Sequence, residues 1–176
     1  MIYENNADSA ENDRPLALVL GVNGGVGGQV SRMLQQRGWR VRAMTRRKAA
    51  SHITGDVEFV VGDAMSGQDV LKAAQGVRLI VHAVNPPGYR DWEKQVLPML
   101  DNTIAAAESC GARIVFPGTI YNFGSDAFPL LSEESPQKPF TRKGALRVEM
   151  ERRLKLASMR GVPVLIVRAG DFFGPD

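Results

Sequence analysis

The chain has 176 residues, 44% of them apolar and 23% charged, the make-up of one ordinary globular domain with its own core. It has no apolar run near the ~20 residues of a bilayer span, no signal peptide at its polar start, one cysteine (Cys110) and so no internal disulfide, and, with His52 and His82, no metal-ligand set. Its net charge of +3 is uneven: residues 1–14 hold Glu4, Asp8, Glu11 and Asp13 against Arg14, net −3, which leaves +6 for an anionic ligand elsewhere, yet no aromatics interleave the basic residues as a nucleic-acid surface requires.

Residues 1–14 show no apolar period and are predicted to be a disordered leader, with one domain over 15–176. Leu16–Leu20 is a short, wholly apolar run, as a strand buried on both faces requires. From Val26 the residues Val30, Met33 and Leu34 recur at helical spacing until Gly38. Further strands are predicted at Arg40–Thr45, Val57–Val61, Leu79–Ala83, Arg113–Phe116 and Val164–Val167. Helices are predicted at about Gly67–Ala74, Asp91–Ser109 and Thr141–Met159. Alternating strands and helices imply right-handed βαβ units. Six strands make two mononucleotide-binding halves of a doubly wound parallel sheet, a three-layer α/β Rossmann fold of order 3-2-1-4-5-6.

Between the first strand and first helix stands Gly21-Val22-Asn23-Gly24-Gly25-Val26-Gly27-Gly28. Gly21 permits the tight turn, Gly24 or Gly25 lets backbone approach a pyrophosphate, and Gly27 lets helix and strand pack closely. The free N–H groups of the helix start, with Asn23 and Val26 among their residues, then face the phosphates. At these residues the chain resembles the short-chain dehydrogenase/reductase superfamily in its extended or atypical branch, nearest the NAD-dependent epimerase/dehydratase family. Gly21, Gly24 and Gly27 give G-x-x-G-x-x-G; the doubled Gly24-Gly25 also satisfies G-x-x-x-G-x-G, so the turn alone leaves the branch open.

About 20 residues past the last glycine an NAD enzyme places an acid on the adenosine ribose. Here that position reads Thr45-Arg46-Arg47. An arginine pairs with a 2′-phosphate, Arg46 before Arg47, so NADP is the expected cofactor, with NAD the alternative. In the resemblance Asp63 and Ala64 lie where relatives hold the adenine, and Ala83 and Val84 lie along the cofactor. Asp63 reads equally as a helix cap or turn former. His82 alternates with apolar strand residues and reads as a packed histidine rather than a catalyst.

The resemblance also implies a catalytic hydroxyl, Tyr and Lys, the last two spaced Y-x-x-x-K. Phe116-Pro117-Gly118-Thr119-Ile120-Tyr121-Asn122-Phe123-Gly124 resembles the end of the relatives' fifth strand and puts Thr119 on the catalytic hydroxyl. Lys143 opens the helix that looks like the Lys-bearing one, where relatives also use the lysine on the nicotinamide ribose. Four residues earlier stands Pro139, not Tyr, and Phe140 is one position off. Tyr121 is the candidate for a relocated acid/base. Arg168-Ala169-Gly170-Asp171-Phe172-Phe173-Gly174-Pro175 resembles the segment after strand six.

Relatives continue far beyond that segment. The resemblance covers 15–176 but only the front half of a typical member, so the C-terminal substrate-binding part is expected to be absent. The implied activity is that of an oxidoreductase, epimerase or dehydratase acting on a small molecule: a carbonyl, an alcohol or a nucleotide sugar. The alternative is a non-catalytic NADP-binding sensor. Helices 91–109 and 141–159 form a dimer interface in many relatives, which implies a homodimer. Here Val96, Met99, Leu100, Thr103, Leu146, Met150 and Leu154 serve either that interface or the core, the core being the plainer assignment. No nucleic-acid or membrane partner is expected, and the single cysteine fits a cytoplasmic setting.

Overall fold

The computed structural model describes residues 14–47, 55–86 and 91–170. Its strands are β1 (Leu16–Leu20), β2 (Arg40–Thr45), β3 (Val57–Val61), β4 (Leu79–His82), β5 (Arg113–Thr119) and β6 (Val164–Ala169). Its helices are α1 (Gly25–Gln36), α2 (Gly67–Ala73), α3 (Trp92–Cys110) and α4 (Arg142–Met159), with a short 3₁₀ turn at Ser125–Ala127. All strand pairs are parallel, and the sheet order is β3-β2-β1-β4-β5-β6. The expected Rossmann order is therefore present. Most of the proposed leader, residues 1–13, lies outside the described residues; Arg14, its last residue, bonds Asp56 at 3.3 Å.

Every residue of β1 is buried because the central strand is covered on both faces. Leu16, Leu18 and Leu20 point into the larger core, which α2, α3 and α4 complete through Val70, Leu100 and Leu154. Val19 points to the other face, where Val41, Ala43 and Val81 meet Val22, Val30 and Leu34 under α1. Those two sets make the three layers. Val96, Met99, Leu100, Thr103, Met150 and Leu154 are all buried, with all but Thr103 in the larger core and Leu146 packed against it. At the sheet edges the α1 side is exposed among the described residues. Leu165 and Val167 of β6 are about half exposed, while Val164 and Ile166 between them pack on the core.

Several boundaries differ by one to three residues from the sequence expectation, and the largest differences, at the sheet's β5 end, have a physical reason. β5 runs three residues beyond Phe116, through Pro117, and pairs there with β6 alone because β4 ends at His82. A proline is tolerated where a strand has lost one neighbour, so Pro117 does not end this strand. Conversely β4 stops at His82 rather than Ala83, and α1 starts at Gly25, its last turn closed by Gly38 at φ +78°. No helix among the described residues is long and apolar enough to cross a membrane.

Candidate functional site

The glycine turn leaves β1 at Gly21, which adopts φ +90°. A Cβ there would lie 2.5 Å from the Ala83 carbonyl oxygen, and one on Gly27 would lie 2.2 Å from the Gly21 oxygen. Both glycines are required by the protein itself, one by turn and strand, the other by helix packing. Gly24 and Gly25 differ. A Cβ on Gly24 would meet only the Gly21 oxygen at 3.4 Å, and one on Gly25 would meet nothing within 4 Å. Nothing among the described residues demands glycine at these two positions, so they leave a cradle open beside the helix start. Gly24 is the N-cap of α1 and offers no side chain to the first N–H groups.

A cleft of about 360 Å³ opens from this turn. Gly21, Asn23 and Gly24 form one wall, Arg46 and Asp63-Ala64 the second, Ala83 and Val84 the third. Arg47 lies outside it; its carbonyl oxygen accepts from the Thr45 hydroxyl. Asp63 turns the chain as well as lining the cleft: its Oδ1 accepts from the Met65 N–H at 2.9 Å, and Ser66 caps α2. The turn-forming reading of that residue is therefore observed, and its place on the cleft wall leaves it within the proposed cofactor site. The positive helix start, the open cradle and a basic side chain on the far wall fit a dinucleotide with its phosphates at the turn.

Ala83, Val84 and Asn85 also line a second cleft of about 260 Å³. Val26, Thr119, Tyr121, Lys143 and Arg147 surround it. Thr119 ends β5, Tyr121 follows in the next turn, and Lys143 lies in the first turn of α4. The Lys143 ammonium sits 4.6 Å from the centre of the Tyr121 ring. Residues 22 positions apart in sequence thus meet. Pro139, by contrast, packs beneath the helix start, and Phe140 is exposed.

Gly144 permits that meeting, and sequence reasoning passed over it. A Cβ on Gly144 would lie 2.2 Å from the Tyr121 carbonyl oxygen. The signal was available: a glycine in a helix's first turn costs stability relative to alanine and asks for a packing reason. Arg147 was also missed. Its guanidinium lies over the Trp92 and Phe116 rings at 5.4 and 5.6 Å and donates to the Pro117 carbonyl.

His82 is fully buried at the cleft wall, with Nδ1 at 2.8 Å from the Thr103 hydroxyl, which itself donates to the Met99 carbonyl. Burial, with the nearby Arg147 charge second, pushes its pKa down to about 3. The imidazole is neutral at ordinary pH.

Residues 17–176 match the model of the NAD dependent epimerase/dehydratase family. The chain belongs to that family. It is 31% identical over 140 residues to an aspartate-semialdehyde dehydrogenase of Prochlorococcus marinus, covering 76% of this chain and 36% of that protein. Among solved structures it resembles the Bordetella bronchiseptica enzyme WbmH in complex with NAD+, with a TM-score of 0.78, 19% identity, and coverage of 92% of this chain and 57% of that one. It also resembles a short-chain dehydrogenase/reductase superfamily protein from Agrobacterium tumefaciens with bound NAD, at TM-score 0.72 and 25% identity, covering 87% and 48%. The chain spans about half the length of these structures and a little over a third of the curated relative.

Proposed function

We propose that this domain binds NADP(H) and serves hydride transfer between that cofactor and an alcohol or carbonyl. The observation that carries the reading is the joining of the two clefts at Ala83, Val84 and Asn85, with the phosphate turn at one end and Thr119, Tyr121 and Lys143 at the other. A bound nicotinamide would supply or accept the hydride. The chain's own part is to hold and orient. The N–H groups at the start of α1 take the pyrophosphate, and Arg46 takes the 2′-phosphate through a charge-assisted fork. NAD, which lacks that phosphate, binds in the same cradle more weakly.

At the other end Tyr121 gives a proton to, or takes one from, the substrate oxygen that Thr119 anchors. The Lys143 ammonium against the Tyr121 ring favours negative charge as it develops on the phenol oxygen. With cofactor bound, Lys143 would also hydrogen-bond the nicotinamide ribose, as the resemblance implies. In this reading Tyr121 replaces the family's helical tyrosine from a different point on the backbone.

Fluorescence titration with NADPH and NADH, followed by cofactor turnover against panels of aldehydes, ketones, alcohols and nucleotide sugars, tests the proposal. Binding should be retained and turnover lost in Tyr121→Phe, since a positioned proton donor is worth about 10²–10⁴-fold. Turnover unchanged in Tyr121→Phe overturns the assignment of that residue. The second reading, a cofactor-binding sensor without chemistry, is favoured by Pro139 standing four residues before Lys143; cofactor binding with no turnover on any panel would select it.

A further inference from the structure

The two clefts that meet at Ala83 and Val84 differ in charge. The first is lined by one cation, Arg46, and one carboxylate, Asp63. In the second, the charged side chains among the described residues are Lys143 and Arg147, both cations, and no carboxylate lines the cleft beside them. They stand four residues apart on α4 and so share one face of it. Both are half-buried. Lys143 lies against the Tyr121 ring. Arg147, one turn further along, is held by the Trp92 and Phe116 rings and by the Pro117 carbonyl at 3.3 Å.

Like charges at this spacing repel. Glu151, the next residue on that face, spends its charge elsewhere: its two oxygens accept from Arg168 at 2.8 Å. Gln137 and Asn122 continue a ring of hydrogen bonds from Glu151 to the Thr119 hydroxyl, and Arg168 closes it at the Thr119 carbonyl, 2.7 Å away. His82, in the same cleft wall, is a ring that can carry positive charge. Burial keeps its imidazole neutral, and the Arg147 charge acts in the same direction. An oxidised nicotinamide is also a ring cation, and it becomes neutral when it takes up a hydride.

We propose that Lys143 and Arg147 make this site selective for the oxidation state of its cofactor: it holds NADPH, whose nicotinamide is neutral, more tightly than NADP⁺, whose nicotinamide is positive. The inference rests on the reading of the second cleft as the nicotinamide end of the site. It gives Arg147 a part in cofactor recognition that the proposed function does not. The two forms carry the same pyrophosphate and the same 2′-phosphate, so the first cleft treats them alike. Only the nicotinamide distinguishes them, and only the second cleft reads it. Bound NADP⁺ is thereby easier to reduce than free NADP⁺.

Calorimetric titration of the full chain with NADP⁺ and with NADPH, at one ionic strength, tests the proposal. The wild type is expected to bind NADPH at least about tenfold tighter, from the repulsion of two unit charges roughly 7 Å from a third in a half-exposed cleft. Arg147→Gln and Lys143→Gln should each cut that ratio by about threefold or more. Arg147→Lys keeps the charge and should keep the ratio. Arg46→Ala acts in the first cleft and should weaken both forms alike.

Equal affinities in the wild type, or a ratio unchanged in both glutamine variants, overturns the inference. A ratio cut as deeply in Arg147→Lys as in Arg147→Gln removes Arg147 from it, because the charge then does not decide. If Arg147→Gln fails to fold, the wild-type ratio and Lys143→Gln decide. Two forms that bind without preference overturn this inference alone, whereas failure of both to bind overturns the proposed function as well.

Discussion

The two halves of the sheet meet at β1 and β4, and they build their parts of the site by different means. In the β1–β3 half the proposed cofactor site is made by backbone. Gly21, Gly24, Gly25 and Gly27 are adjacent in sequence, and what matters is where Cβ atoms are missing. In the β4–β6 half the proposed site is made by side chains: Thr119 at the end of β5, Tyr121 just past it, Lys143 and Glu151 on α4, and Arg168 on β6. Their relation exists only once three elements have packed. A backbone site is fixed by one strand, one turn and one helix; a side-chain site is only as good as the contacts that bring its elements together.

The sharpest way to break that contrast is Gly27→Val. The new Cβ would sit 2.2 Å from the Gly21 oxygen, so helix and turn must separate. The expected loss is at least about 3 kcal/mol, seen as a large fall in urea midpoint or as failure to express folded protein. A variant of native stability would show that the turn is more pliable than a backbone-built site allows.

Next in size is the far wall of the cofactor cleft. If Arg46 holds a 2′-phosphate, Arg46→Ala should weaken NADPH by roughly 10- to 150-fold, about 1.5–3 kcal/mol, and leave NADH little changed. Arg47→Ala should leave the affinity for both cofactors little changed, because Arg47 lies outside the cleft. Titration of both cofactors against the three proteins decides it. NADPH affinity surviving in Arg46→Ala would remove the one side chain on which the front half's cofactor choice depends.

How much was legible follows the same division. Short apolar runs marked the six strands, because a strand covered on both faces is apolar along its length, and their order followed from the βαβ alternation of a Rossmann sheet. The turn was legible because its residues are neighbours. Thr119, Tyr121 and Lys143 were grouped as one site only through the family resemblance, since no spacing rule joins a loop after β5 to a helix start 22 residues on. Gly144 and the ring through Asn122, Gln137, Glu151 and Arg168 were missed altogether. Their meaning depends on contacts and hydrogen bonds between elements, which composition does not carry. β5, expected to end at Phe116, runs on through Pro117 to Thr119 where β4 has already stopped.

The seam between the halves carries a pH signature. The folded-state pKa of His82, about 3, lies below its ordinary value of 6.5, so the unfolded chain binds the extra proton first. The stability that the neutral, buried ring represents is complete above pH 6.5 and drains as pH falls toward 3, by up to about 1.4 kcal/mol per unit. Urea unfolding between pH 7 and 5, above most carboxylate titration, should show that slope in the wild type and its loss in His82→Leu. An equal slope in both proteins would place the titration elsewhere.

Gly25→Ala has the smallest expected effect on the fold and separates the two kinds of requirement most cleanly. Gly25 is the first residue of α1 and does not adopt a positive φ. A methyl group there meets no atom within 4 Å. Alanine also restricts the unfolded chain and favours helix, so stability should be unchanged or raised by up to about 1 kcal/mol. The same methyl would project into the cradle where a pyrophosphate approaches the helix start. Cofactor affinity should therefore fall even as the melting temperature holds or rises. Gly27→Val would lose both together, because its glycine serves the fold. If Gly25→Ala binds cofactor as the wild type does, the open space at the turn is not where the phosphates lie, and the backbone account of the front half fails at its central point.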